Sequence, residues 1–275
     1  MSSTAIVTGA NSGIGLPTAI ALAQHGMRVV VASRSTEKGE AAAAHIRTRA
    51  PGAEVVFSRL DLADLSSVRE FASGVEEVRL LVNNAGIGMI PRGETKDGFE
   101  LQFGTNHLGH FALTGLLLPL LLKSPGARVI NVSSDAHKMG RLDFGNLGLE
   151  KGYGRMSSYG RSKLANLLFT YELKRKADRA GADLLTAATH PGATATNFFN
   201  LGPFNFLTKL FLHSAEAGAV PSVHAALSSD VRGGEFFGPK KQLLTPSKDA
   251  RSPELAARLW EVSTELTGVR FDEIA

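Results

Sequence analysis

Short runs of apolar, mostly β-branched residues alternate with longer helical stretches, and this alternation limits the folds open to the chain. The predicted strands cover residues 5–7, 27–32, 54–58, 80–83, 128–133 and 184–188, with a short last strand at 235–237. Helices are predicted up to about residue 24 and over residues 36–49, 65–78, 99–123 and 157–180. Apolar strands joined by helices indicate a parallel sheet that is covered on both faces. The sequence therefore predicts one α/β domain over residues 1–275, with a doubly wound parallel sheet of about seven strands.

Composition and charge argue against several other classes of protein. The chain has no Cys, which excludes disulfides, zinc–thiolate sites and a Cys nucleophile. The formal net charge is +4, and the basic residues are spread along the chain, so nucleic-acid binding is not expected. The longest apolar run, residues 116–122, is far too short to span a bilayer. We expect a cytoplasmic protein without a secretory signal, a membrane span or a metal site.

A glycine-rich turn follows the first predicted strand and opens the first predicted helix. Its candidate binding residues are Gly9, Asn11, Ser12, Gly13, Ile14 and Gly15. Glycines allow a tight turn and a close backbone approach to a pyrophosphate, while the helix N-terminus offers free N–H groups. A turn of this kind can also be an ordinary strand–helix connection. Its place at the first strand–helix junction nevertheless favours dinucleotide binding.

The residues after the second predicted strand bear on the choice of dinucleotide. Many dinucleotide-binding folds have an acidic residue here that binds the ribose 2′-hydroxyl of NAD, whereas this chain has Ser33 and Arg34. A neutral residue followed by Arg suits the 2′-phosphate of NADP, although Arg34 could also be a plain surface residue. We expect NADP(H) to be preferred over NAD(H). Ser12 weakens this expectation, because a basic residue in the glycine turn would have strengthened it.

Tyr159 and Lys163 lie four residues apart on a predicted helix and so share one face. An ammonium about 4 Å from the phenol, at an effective dielectric constant of about 20, is worth roughly 4 kcal/mol, or about three pKa units. Lys163 could therefore make Tyr159 a general acid and base near neutral pH. Such a pair alone is more often a solvated helix face. Ser133 and Ser134, at the end of the fifth predicted strand, add a hydroxyl that could orient a carbonyl oxygen.

Several motifs occur together in the order found in one enzyme family. They are Thr8-Gly9-x-x-x-Gly13-x-Gly15, Asn83-Asn84-Ala85-Gly86, Asn106, Val132-Ser133-Ser134, Tyr159-x-x-x-Lys163 and Pro191-Gly192. Over about residues 4–240 the chain resembles the short-chain dehydrogenase/reductase family. Segments 105–111 and 159–166 are similar to its retinol-dehydrogenase-like branch, which includes WW-domain-containing oxidoreductases, without a WW domain in this sequence. The resemblance implies a Rossmann fold and an oxidoreductase that moves a hydride between a nicotinamide and an alcohol or carbonyl.

The resemblance also implies roles for individual residues. Tyr159 is expected to exchange a proton with the substrate oxygen, and Lys163 to lower its pKa and hold the nicotinamide ribose. Ser134, rather than Ser133, is expected to bond the reacting oxygen, and Asn106 to hold a water that links Lys163 to solvent. The remaining cofactor contacts implied are Asp61 and the Leu62 backbone at the adenine; Asn83, Ala85 and Gly86 along the adenosine; and Pro191, Gly192 and Thr194 or Thr196 beside the nicotinamide and phosphates.

Two segments and one alternative function stay open at this stage. Residues 140–156 and 193–213 lack clean periodicity and are expected to be loops or short helices over the site. The Phe- and Leu-rich residues in 193–213 could form a substrate loop over an apolar pocket, or a subunit or core contact. The resemblance implies a homodimer or homotetramer through helices near 104–123 and 157–180, with a monomer as the alternative. A nucleotide-binding regulatory protein without turnover is the alternative function.

Overall fold

The computed structural model describes residues 3–192 and 214–275, and within them seven strands form one parallel sheet. The strands are β1 (Thr4–Thr8), β2 (Arg28–Ser33), β3 (Val55–Arg59), β4 (Leu80–Asn83), β5 (Ala127–Val132), β6 (Leu184–Thr189) and β7 (Phe236–Phe237). Their order is β3-β2-β1-β4-β5-β6-β7, and every pairing is parallel. This arrangement confirms the predicted single-domain, doubly wound α/β fold, with the strand order reversing beside β1.

Helices cover both faces of the sheet. They are α1 (Gly15–Gln24), α2 (Thr36–Arg49), α3 (Leu65–Ser73), α4 (Leu101–Phe103), a π-helical segment (Gly104–Leu108), α5 (Gly109–Leu122), α6 (Arg155–Arg179), α7 (Ala215–Leu227) and α8 (Pro253–Thr267). One apolar core joins α1, α2 and α7 to the sheet, and another joins α3, α5 and α6. Burial on both sides explains why the central strands are continuous apolar runs rather than alternating ones.

Two predicted helices differ from the structure. The helix predicted over residues 65–78 ends at Ser73, because Gly74 follows it and residues 75–79 run as a connection into β4. The helix predicted over residues 99–123 starts at Leu101, where the Glu100 carboxylate caps the N–H groups of Gln102 and Phe103, and it contains the π-helical segment. Helices α7 and α8 were not predicted.

Helix α8 and the C-terminal residues pack on α5 and α6. Trp260 of α8 contacts Phe111, Phe169 and Phe271, with ring centroids 4.5–5.8 Å apart. Val269 also joins this core. The C-terminal part of the chain therefore packs on α5 and α6, the helices through which the resemblance implies a dimer or tetramer. In the described ranges no helix combines the length and apolar character needed to cross a membrane.

Candidate active site

Glycines let the turn between β1 and α1 pack closely on itself and on the loop after β4. Gly9 has a φ of 67°, and a Cβ at this position would lie 3.0 Å from the Ala85 Cα. A Cβ on Gly15 would lie 2.5 Å from both the Gly9 carbonyl oxygen and the Asn84 Nδ2. No side chain caps the N-terminus of α1. The turn thus combines a tight backbone with helix N–H groups that are suited to bind a phosphate.

Thr8 holds the loop after β4 against this turn. Its hydroxyl oxygen accepts hydrogen bonds from the backbone N–H groups of Asn84 and Ala85, both at 2.9 Å. The Asn84 side-chain amide donates to the Thr8 carbonyl at 2.7 Å. Ala85 and Gly86 therefore lie where the family resemblance expects the adenosine half of the cofactor. Thr8 opens the glycine motif but was not among the candidate binding residues, because the sequence does not show that its hydroxyl holds the loop after β4.

The end of β2 carries a hydroxyl suited to a ligand. The Ser33 side chain is buried, and its Oγ has no hydrogen-bond partner among the described residues. Arg34 directly follows it and is exposed. Buried hydroxyls are normally hydrogen-bonded, so the unsatisfied Ser33 Oγ fits a position that a ligand completes. Together with the glycine turn, it shows that the residues present fit a dinucleotide.

Three of the residues expected at the adenine and adenosine differ in their burial and in their hydrogen-bond partners. Asp61 is half-buried, and its carboxylate accepts a hydrogen bond from the Ala63 N–H at 3.0 Å. Leu62 has its side chain in the core, so only its backbone could reach a ligand. Asn83 is buried, and its amide donates to Thr114 and Asn131. The Asn83 Nδ2 thus holds the sheet interior, while its Oδ1 has no hydrogen-bond partner among the described residues, and the expected contact of Asn83 with the adenosine stays a prediction.

The two serines after β5 have different partners. The Ser133 hydroxyl is buried and donates to the Lys163 carbonyl at 2.8 Å, which ties the strand end to α6. The Ser134 hydroxyl hydrogen-bonds the Tyr159 phenol and accepts from the Ala136 N–H at 3.2 Å. Ser134 is thus the serine that faces the tyrosine, in the position the resemblance assigned to it.

Close helix packing brings Tyr159 against the Ser134 turn. Gly160 follows Tyr159 in α6, and a Cβ on it would lie 2.5 Å from the Ala136 carbonyl oxygen. A Cβ on Gly140 would lie 2.4 Å from the Gly160 carbonyl oxygen. The two glycines let the backbone of α6 touch the backbone of the 3₁₀ turn Asp135–Met139. This contact sets the distance between the hydroxyls of Ser134 and Tyr159.

Lys163 lies about one helical turn after Tyr159 in α6, and its side chain is buried. Its Nζ donates to the Val132 carbonyl at 3.0 Å and lies 5.7 Å from the centroid of the Tyr159 ring. Burial lowers the pKa of Lys163 to about 8. Burial also raises the pKa of Tyr159, and the hydrogen bond with Ser134 opposes this only in part. The sequence argument expected Lys163 to lower the Tyr159 pKa; here desolvation dominates and the shift is upward.

Asn106 lies in the π-helical segment, and its side chain is hydrogen-bonded to the loop after β4. Its Oδ1 accepts from the Ile87 N–H at 2.8 Å, and its Nδ2 donates to the Ile87 carbonyl at 2.8 Å and to the Ser162 hydroxyl at 2.9 Å. A Cβ on Gly86 would lie 3.3 Å from the Asn106 Oδ1 and 3.4 Å from the Lys163 Nζ. Asn106 and Lys163 thus meet at Gly86, in one buried cluster.

The segment after β6 is described only at its start. Pro191 and Gly192 are half-buried, and the Gly192 N–H donates to the His190 Nδ1 at 3.4 Å. The His190 Nε2 lies 3.5 Å from a carboxylate oxygen of Asp135, the residue next to Ser134. Sequence reasoning did not connect these two residues, which are far apart along the chain. Thr194, Thr196 and the expected substrate loop 193–213 lie outside the described residues.

The fold and the site together define a class of protein. A doubly wound sheet presents a phosphate-suited turn at β1, an unsatisfied hydroxyl at β2 and a Ser–Tyr–Lys group beside β5. Ligands of such sheets bind at the carboxyl ends of the strands where the strand order reverses. The arrangement is that of a dinucleotide-binding protein with an acid–base group beside the ligand.

Comparisons with known proteins agree with this class. A family model described as short chain dehydrogenase matches residues 3–201. Retinol dehydrogenase 12 of Mus musculus is 42% identical over 277 residues, covering 97% of this chain and 87% of that protein. Retinol dehydrogenase 13 of Homo sapiens is 42% identical over 292 residues, covering 98% and 86%. The crystal structure of an uncharacterised Mycobacterium paratuberculosis protein has a TM-score of 0.85 and 44% identity, covering 98% of this chain and 94% of that one.

The chain belongs to the short-chain dehydrogenase family. Its retinol-dehydrogenase-like relatives align over nearly its whole length, so it is an oxidoreductase that acts on CH–OH or C=O groups and binds a nicotinamide cofactor. The resemblance drawn from the sequence motifs is thereby confirmed.

Proposed function

We propose that this protein is an NADP(H)-dependent oxidoreductase of apolar alcohols or carbonyl compounds, with Tyr159 as the general acid and base. The observation that carries the proposal is the Ser134–Tyr159 hydrogen bond beside the buried Lys163, at the carboxyl edge of the sheet. A group of this kind is positioned to hold a substrate oxygen and to exchange one proton with it.

The bound nicotinamide supplies or accepts the hydride at the substrate carbon. In the reducing direction, the Ser134 hydroxyl orients the carbonyl oxygen and Tyr159 Oη gives that oxygen its proton, which completes the alcohol. In the oxidising direction, the Tyr159 oxygen takes the hydroxyl proton while the hydride leaves the carbon. In the roles that the family resemblance implies, Lys163 would hold the nicotinamide ribose and Asn106 would hold a water that links Lys163 to solvent. Since burial raises the pKa of Tyr159, the phenol is protonated at neutral pH and ready to act as an acid.

The preference for NADP(H) rests on the end of β2. Ser33 offers a buried hydroxyl, and Arg34 offers an exposed guanidinium to a 2′-phosphate. We expect Arg34→Ala to raise the dissociation constant for NADPH much more than that for NADH. Arg258→Ala, which removes an exposed guanidinium from α8, is the matched control. Equal losses of both cofactors in Arg34→Ala would remove the phosphate role.

An apolar substrate is favoured by the surface around the site. Among the described residues, the large apolar side chains that are exposed are Met139 and Leu243, at 51% and 67%. Met139 ends the turn that begins after Ser134, and Leu243 bridges to Phe237, whose carbonyl accepts the His190 N–H. Both therefore flank the substrate side of the sheet edge. Exposed apolar residues in such a position suit an apolar ligand.

Two tyrosine variants test the catalytic assignment. We expect Tyr159→Phe to abolish NADPH oxidation with a panel of carbonyl compounds while leaving NADPH binding nearly unchanged. Tyr171→Phe removes a hydroxyl from the same helix, away from Ser134, and should leave turnover intact. Equal turnover in wild type and Tyr159→Phe would defeat the assignment. Tight NADPH binding by the wild type without turnover on any alcohol or carbonyl would favour the regulatory alternative.

A homodimer or homotetramer through α5 and α6 stays a prediction from the resemblance, with a monomer as the alternative that the packing of α8 on these helices supports. Light scattering, which gives the mass in solution, should distinguish one chain from a dimer or tetramer. A cytoplasmic location stays a prediction from the sequence, which fractionation of cells that express the protein would check.

A further inference from the structure

His110 connects the glycine-turn strand to the carbonyl of Asn106. Its Nδ1 lies 3.0 Å from the Asn106 main-chain oxygen, and its Nε2 lies 2.9 Å from the Thr8 hydroxyl oxygen. All three residues are at most 2% exposed. The imidazole thus bridges the end of β1 and the π-helical segment without reaching solvent.

The partners of His110 determine where its proton lies. A carbonyl oxygen can only accept, so Nδ1 carries the hydrogen and donates to Asn106. The Thr8 hydroxyl oxygen already accepts two backbone N–H groups, and its own hydrogen can go to the His110 Nε2 at 2.9 Å or to the Val82 carbonyl at 3.3 Å. Burial lowers the pKa of His110 to about 4, so the ring is neutral and Nε2 accepts at neutral pH. The ring therefore donates a hydrogen bond from Nδ1 to the Asn106 carbonyl and accepts one at Nε2 from the Thr8 hydroxyl.

The side chain of Asn106 connects the His110 hydrogen bond to the loop after β4, beside Lys163. Its side chain holds both the N–H and the carbonyl of Ile87, and Gly86 lies between the Asn106 Oδ1 and the Lys163 Nζ. A rotation of the Asn106 backbone would move its amide and would loosen the loop against Lys163. The His110 Nδ1 thus adds a hydrogen bond to the Asn106 carbonyl, beyond the helical backbone in which Asn106 lies.

We propose that His110 is a positioning residue for the hydride-transfer reaction, with its Nδ1–H fixing the Asn106 carbonyl and thereby the loop that packs on Lys163. The inference rests on the proposed catalytic use of Lys163 and Asn106. The proposal concerns a residue that contacts neither cofactor nor substrate. It assigns the positioning role to Nδ1, one of the two ring nitrogens.

Two substitutions separate the two nitrogens. The side-chain amide of Asn can occupy about the position of Nδ1, whereas that of Gln reaches about the position of Nε2. His110→Asn should keep the donor to Asn106, and His110→Gln should keep only the contact with Thr8. We expect His110→Gln to lower kcat by about 10- to 100-fold, as misplacement of a catalytic group does, with little change in the dissociation constant of NADPH. His110→Asn should restore most of kcat.

The outcomes discriminate positioning from general stability. If both variants keep wild-type kcat, or if His110→Asn loses as much kcat as His110→Gln at the same melting temperature, the proposal is overturned. A merely structural role would lower stability in both and would not be rescued by the amide at the Nδ1 position.

A measurement on the wild-type protein does not depend on the variants folding. The ¹⁵N resonances of labelled histidine distinguish a protonated from an unprotonated ring nitrogen, and His110 should show a neutral ring with hydrogen on Nδ1 at neutral pH. Hydrogen on Nε2, or a charged ring, would refute the proposal. Absence of wild-type turnover with NADPH, or unchanged turnover in Tyr159→Phe, would instead reject the proposed function, while the ¹⁵N result would still show whether the His110 Nδ1 donates to Asn106.

Discussion

Replacing Gly160 by Ala is expected to separate Ser134 from Tyr159 without altering either side chain. The added Cβ would lie 2.5 Å from the Ala136 carbonyl oxygen and 3.0 Å from the Gly140 nitrogen, both of them backbone atoms. Non-bonded atoms of this kind prefer separations of about 3.5 Å, so α6 and the Ser134 turn must move apart by about 1 Å. Overpacking of this kind costs about 1–3 kcal/mol of stability.

The catalytic effect should exceed the effect on stability. A displacement of about 1 Å at a catalytic group can lower the rate by about 100-fold. We therefore expect kcat/KM for carbonyl reduction, at saturating NADPH, to fall by about that factor in Gly160→Ala. The dissociation constant of NADPH should change much less than kcat/KM, because the glycine turn and the end of β2 lie on other elements and only the ribose contact proposed for Lys163 lies on α6.

The assay needs a glycine control with open space around it. Gly74, after α3, has a φ of −90°, and an added Cβ there would find its nearest atom at 3.6 Å. Gly74→Ala should keep both kcat/KM and NADPH binding. Wild-type turnover in Gly160→Ala would refute the reasoning. So would a loss of turnover that is matched by an equal loss of NADPH affinity, because the site would then fail through the cofactor rather than through Ser134.

Three further outcomes follow from buried charges and rings. Arg161→Met leaves the Glu100 carboxylate buried without its ion-pair partner, which lies at 3.1 Å in the wild type. We expect urea denaturation to show a loss of about 3–5 kcal/mol in the free energy of unfolding, part of which adding Glu100→Gln should recover. A negligible loss would contradict this. Burial lowers the pKa of His107 to about 3 and that of His110 to about 4, from 6.5. The unfolded chain then binds more protons below pH 6.5, so the unfolding free energy should fall on acidification by about 1.4 kcal/mol per pH unit for each histidine, and a pH-independent value would contradict it. Burial raises the pKa of all three tyrosines, so at pH 10 the folded protein should show far less tyrosinate absorbance than the urea-unfolded chain; equal absorbance would contradict it.

The strands could be predicted from the sequence because burial on both faces makes each of them a continuous apolar run. Helix α8 could also have been found. Its N-cap Ser252, whose hydroxyl accepts the Leu255 N–H, precedes Pro253, and it ends at Gly268 with a φ of 63°. Ser–Pro at the start and Gly just past the end are ordinary helix boundaries. The π-helical segment could not be predicted in this way, since its apolar spacing matches that of an α-helix.

The buried polar network was beyond sequence reasoning because its partners are distant along the chain. Asn83 bonds Thr114 and Asn131, and Asn131 in turn bonds Thr170 of α6. From the sequence alone, each amide or hydroxyl is compatible with a surface or ligand-binding group, and only the packing of α5 and α6 on the sheet shows which partners it bonds inside the protein. For the same reason the sequence alone could not show that the Asn83 amide holds α5 and β5 together, and its expected contact with the adenosine stays a prediction.

Tyr159 and Lys163 show which part of the chemistry a spacing can determine. Four residues place the two side chains on one side of α6, but the sign of the Tyr159 pKa shift depends on depth, and both groups lie where water is excluded. The Lys163 ammonium donates a hydrogen bond to the Val132 carbonyl and lies 5.7 Å from the centroid of the Tyr159 ring. Desolvation of the phenolate therefore outweighs its attraction to the cation. Under the proposed function, a protonated Tyr159 phenol would be the starting state for carbonyl reduction. Alcohol oxidation needs the same oxygen to take up a proton, and the positive charge of an oxidised nicotinamide nearby would favour the required phenolate. The redox state of the cofactor would therefore set the protonation state of Tyr159, with Lys163 contributing mainly by holding the ribose in place.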